Sequence, residues 1–172
     1  MLTEAGVQLD ASLRASLISQ YGAGLSMLRQ IVEKCPDELW LSTSLRNQFW
    51  RVAYHTLFFV HLYLQPAESD FVPWPKHRDE VESGSGERAD ATPYSQSDIL
   101  EYLEFCAVEV RGRVVDMDLH AQSGFPWHRC SRLELQLINI RHLQGHVGEL
   151  SEQLSDKTGI QIKWVGLTRD SL

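Results

Sequence analysis

The chain has 172 residues, 43% of them apolar and 23% charged, a balance that suits one soluble domain with a substantial core. Acidic residues outnumber basic ones 23 to 16, and the net charge of −7 argues against a nucleic-acid backbone as partner, which needs a basic face. No apolar run reaches the roughly 18 residues of a membrane span, and the start of the chain lacks the basic-then-apolar pattern of a signal peptide. Cys35, Cys106 and Cys130 are scattered and odd in number, forming neither a disulfide framework nor a paired zinc motif, so a reducing cytoplasm is expected.

Four segments carry helical periodicity. The first covers 12–34, where Leu13, Leu17, Tyr21, Leu25, Leu28 and Val32 recur at spacings of three and four. Gly22 and Gly24 lower its propensity and point to close packing, and Pro36 ends it. The second covers 45–65, is apolar on most sides through Phe49, Val52, Leu57, Val60 and Leu64, and stops at Pro66. The third covers 95–117, opened by a capping-box pair, Ser95 and Asp98, and continued by Ile99, Tyr102, Leu103, Cys106, Val110 and Val114. The fourth covers 131–154, with Ser131 and Glu134 at the same spacing and an inward stripe of Leu135, Ile138, His142, Leu143, His146 and Leu150. In the tail, 155–172, the alternating stretch Ile160 to Val165 reads as a short edge strand or a docked segment.

Four long helices in one domain spanning 1–172 predict an all-α four-helix bundle. The links are uneven: about ten residues, then about thirty, then about thirteen, and the second is long for a compact domain. Its first half, with Phe71, Pro73, Trp74 and Pro75, is expected to pack; its second half, Glu82 to Arg88, is polar and expected to be mobile. Such a link is long enough to cross the bundle, which would make helices two and three parallel.

The residues with the most chemical content are His142 and His146, four apart on the fourth helix and therefore on one face. Two such imidazoles can fill two corners of a metal site, and His55 on the second helix could supply a third. Spacing alone leaves open an ordinary buried or surface histidine pair.

The run His-Thr-Leu-Phe-Phe (55–59), the Pro-Tyr-Ser leading into the third helix (93–95) and Asn-Ile-Arg-His-x-x-x-His (139–146) together resemble the DinB/YfiT-like superfamily over roughly residues 10–155. The resemblance implies an up-down-down-up bundle with a long crossover between helices two and three. It also implies a divalent metal held by His55, His142 and His146, with no member of the triad missing.

Three neutral imidazoles suit zinc, nickel, iron or copper; zinc and nickel come first here, with iron and manganese behind. Three protein ligands leave a coordination position open, as in catalytic rather than structural sites. The superfamily includes enzymes that use low-molecular-weight thiols, so the resemblance implies a thiol-dependent transferase or a hydrolase acting on a small molecule. Arg51, Asn139 and Glu149 lie about a turn from the histidines and could orient them or meet a substrate; for Arg51 and Glu149 the competing reading is a solvated surface charge. Trp50 and Tyr54 read as core or pocket mouth, and His61 as facing elsewhere on its helix. His77, His120 and His128 fall in links. The alternatives to an enzyme are a metal-binding protein without catalysis and a dimeric stress-response or interaction module; the superfamily's habit of pairing implies a homodimer.

Overall fold

The computed structural model describes residues 4–45, 47–79 and 91–169. Within them the chain forms five α-helices and no strand: α1 (Glu4–Lys34), α2 (Asp37–Trp40), α3 (Phe49–Tyr63), α4 (Gln96–Asp116) and α5 (Arg132–Thr158). The all-α expectation stands. Long-range packing runs in a ring: α1 lies against α4 and α5, and α3 lies against the same two. None of the helices among the described residues is long and apolar enough to cross a membrane.

Each long helix follows from its apolar stripe, and its ends from local chemistry. Leu17, Tyr21, Leu25, Leu28, Ile31 and Val32 bury one side of α1. The helix begins at residue 4, earlier than the periodicity indicates, because its first turns carry exposed apolar residues such as Val7 and Leu9 instead of a buried stripe. At Gly24 a Cβ would come within 2.6 Å of Leu143 Cδ2, so the glycine sets how closely α1 and α5 approach. Pro36 ends α1, and the short α2 occupies the link, anchored by the buried Trp40, whose Nε1 donates to the Tyr94 carbonyl at 2.8 Å.

In α3 nearly every side chain is buried, including Phe49, Trp50, Tyr54 and Leu57. The link after it packs as expected in its first half: Trp74 is buried and stacks on Tyr102 with centroids 4.6 Å apart, and Phe71 meets Phe58 edge-on. The expected mobile half, Glu82 to Arg88, lies outside the described residues. Ser95 caps α4 through a full capping box with Asp98, while at α5 Ser131 accepts from the Glu134 amide at 3.2 Å. α5 runs to residue 158, four beyond the sequence boundary, and stops at Gly159, whose φ of 74° is the left-handed conformation that ends many helices.

The buried stripe of α5 is Leu135, Gln136, Asn139, Leu143, Val147, Leu150 and Leu154. Ile138, His142 and His146 sit half-buried at its edge, a correction to the expected inward stripe that leaves the two imidazoles facing a neighbour and not the deep core. The tail is a docked segment and not a strand. Its backbone bonds to α1 side chains: Lys163 N donates to Gln30 Oε1 at 2.9 Å, Gln30 Nε2 returns a bond to Lys163 O at 3.2 Å, and Thr168 N donates to Ser19 Oγ at 3.2 Å.

Candidate metal centre

The pairing of α3 with α5 brings His55, His142 and His146 together, with one nitrogen from each ring within 4.8 Å of the others. Ring centroids lie 5.2 Å apart for His55 and His142, 5.0 Å for His55 and His146, and 4.6 Å for His142 and His146. Phe59, one turn after His55, packs against both His55 (4.8 Å) and His142 (5.1 Å) and walls one side of the cluster.

The donor chemistry is specific at His146. Its Nδ1 lies 2.9 Å from Glu149 Oε2, and Glu149 Oε1 accepts from Asn47 Nδ2 at 3.2 Å. A carboxylate accepts only, so Nδ1 carries the proton and the lone pair of Nε2 is presented to the cluster. That Nε2 lies 3.2 Å from His142 Nε2. Two imidazole nitrogens bound to one tetrahedral zinc at about 2.05 Å would lie about 3.3 Å apart, so the spacing fits a shared cation. Nδ1 of His55 is buried without a hydrogen-bond partner, a costly state for a polar group; Nδ1 of His142 is also unpartnered, but an ion held by that ring's Nε2 would leave it so. Burial, reinforced by the neighbouring imidazoles, pushes the pKa of both His55 and His142 down to about 4. They are therefore neutral at pH 7, the form that binds metal. The residues present fit a divalent ion.

The cluster is not sealed. A cleft of about 280 Å³, lined by Phe59, Tyr63, His128, Ile138, Arg141 and His142, opens against the His142 and Phe59 side. His128 stands edge-on to Tyr63 with centroids 5.4 Å apart, and Trp127 Nε1 donates to the Tyr63 hydroxyl at 3.2 Å.

The other candidates divide. Glu149 orients His146, so the solvated-charge reading of that residue is replaced. Arg51 is only 3% exposed, its guanidinium 5.1 Å from the Trp50 ring centre, which overturns the solvated-charge reading there too; burial lowers its pKa. Asn139 is fully buried and donates to the Val60 carbonyl at 3.2 Å, tying α5 to α3 instead of turning an imidazole. Trp50 and Tyr54 are core residues. His61 is buried against Phe71 and Phe105, His77 bonds Tyr54 through Nδ1 at 2.5 Å, and His120 meets Asp10 at 3.2 Å; none of them joins the triad. Sequence reasoning missed Asn47, Phe59 and the cleft. Part of that was legible: Phe59 and Tyr63 follow His55 at successive turns of α3, and Ile138 precedes His142 by one turn of α5, so both stripes run from the triad into the cleft. His128 and Asn47 lie in links and had no such signal.

Comparison with known proteins finds no family model, no curated protein and no solved structure that matches the chain.

Proposed function

We propose that this chain is a DinB-like metal-dependent enzyme, a thiol-dependent transferase or a hydrolase, whose divalent ion is held by His55, His142 and His146. The observation that carries the reading is the convergence of three neutral imidazoles from α3 and α5, one of them oriented by a carboxylate. The cleft beside His142 favours catalysis over mere metal storage, because it gives a small molecule room next to the donors. The ring of contacts among α1, α4, α3 and α5 supports the up-down-down-up bundle as its frame.

A zinc or nickel ion bound there would lower the pKa of a bound water or thiol and so supply a nucleophile at neutral pH. The chain's own residues do the rest. Glu149 fixes the tautomer and angle of His146, and Asn47 holds Glu149 in turn. Phe59 excludes water from one side of the triad, and burial keeps His55 and His142 deprotonated.

The test is metal content by inductively coupled plasma mass spectrometry on protein purified without a histidine tag. Wild type is expected to carry about one divalent ion per chain, and His55→Ala and His142→Ala to lose most of it with helical content unchanged by circular dichroism. Equal metal stoichiometry in wild type and both variants would sink the triad.

A further inference from the structure

The cleft beside the triad has a definite chemical character. Its lining is largely apolar: the rings of Phe59 and Tyr63, inclined 53° to each other, with Ile138 beside them. Tyr63 is held in place by the Trp127 indole and by His128. Two groups in the lining can donate hydrogen bonds outward, Arg141 and His128. Arg141 is exposed on α5. It meets no carboxylate among the described residues, as is also true of Arg111 and Arg129, but of these three it alone lines this cleft. In a chain of net charge −7, this places a cation open to an anion beside aromatic rings.

We propose that this cleft binds a small carboxylic acid, with its apolar body against Phe59 and Tyr63 and its carboxylate held by Arg141. One guanidinium matches one carboxylate through two parallel hydrogen bonds, and the cleft offers a single guanidinium, which suits a carboxylate better than a phosphate dianion. The cleft volume of about 280 Å³ suits a small molecule. Because Phe59 and His142 belong both to the cleft and to the triad's surroundings, an acid seated there lies against the proposed metal. The acid is thus the substrate class of the enzyme proposed above, and in that respect the inference rests on that reading; the binding itself does not.

The test uses benzoate as probe and benzamide as its neutral isostere, titrated calorimetrically into zinc-loaded and chelator-stripped protein. Wild type, Arg141→Gln and Arg141→Lys are compared; Arg141 is exposed, so both variants are expected to fold, which circular dichroism checks. Benzoate is expected to bind with and without zinc, about tenfold more tightly than benzamide, as a charge-assisted pair requires. Arg141→Gln should weaken benzoate about tenfold and leave benzamide unchanged, with Arg141→Lys in between. No binding of benzoate, equal binding of the two probes, or benzoate affinity unchanged in Arg141→Gln overturns the proposal. Benzoate that binds only with zinc and ignores Arg141 is a metal ligand, which overturns this proposal and leaves the triad standing. Arg141-dependent binding in protein that takes up no metal supports the acid site and removes the triad reading instead.

Discussion

Glu149 is the residue whose role rests most on geometry. It sits three positions after His146, faces the same side of α5, and accepts the Nδ1 proton at 2.9 Å. A ligating imidazole held this way loses affinity when its carboxylate is neutralised, by about tenfold or more in comparable sites. Glu149→Gln is therefore expected to weaken metal binding about tenfold without loss of helix, read by competition with a chromophoric chelator. Unchanged affinity would reduce Glu149 to a surface charge. Arg51 shows the limit of residue-level reasoning in the other direction. Charge alone places it in solvent, yet its guanidinium lies over Trp50 inside the fold.

The elements obey local rules at their ends and tertiary rules along their faces. α5 stops where Gly159 turns to φ 74° with open space around its Cα, so a Cβ there would strain the backbone without any clash. Gly159→Ala is expected to cost about 1 kcal/mol, lowering Tm by about 3 °C in a calorimetric scan. A Tm unchanged or raised would mean the left-handed turn is not kept in solution. The capping pair at Ser95 and the stop at Pro36 were legible for the same reason: they depend on neighbours in sequence. The face of α5 was not. Asn139 and Gln136 fall outside the apolar stripe read from the sequence, but their amides satisfy the Val60 and Tyr63 carbonyls at the end of α3, which lets them lie in the buried stripe. Their inward place shifts the helix so that His142 and His146 come to its edge.

At the scale of the molecule, the buried histidines couple stability to pH. His61 is 2% exposed, and burial against the aromatic residues of α4 and the link lowers its pKa from 6.5 to about 4, with Arg113 adding to the shift and Glu109 opposing it. A depressed pKa means that the unfolded chain takes up the proton first. Stability is then full above about pH 6.5 and falls as pH drops from there towards 4, by about 3 kcal/mol for His61 alone. His55 and His142 shift the same way and add to the loss in metal-free protein. Urea midpoints of the metal-free protein are expected to drop between pH 7 and pH 4.5, and to drop less in His61→Gln. An equal drop in both would show that His61 is not buried neutral.

The sequence by itself determined the helical class, the caps at Ser95 and Ser131, the stop at Pro36, and the pairing of His142 with His146 on one face, because periodicity, capping and one-turn spacing are local properties of a helix. The meeting of His55 with that pair, the hold of Asn47 on Glu149, and the cleft that joins Tyr63, His128 and Arg141 were decided only by the packing of α3 against α5. Those groups are tens of residues apart in the chain. Their distances are set by which faces bury and by how closely the backbones approach, as Gly24 against Leu143 illustrates, and side-chain packing of that kind has no signature in local spacing.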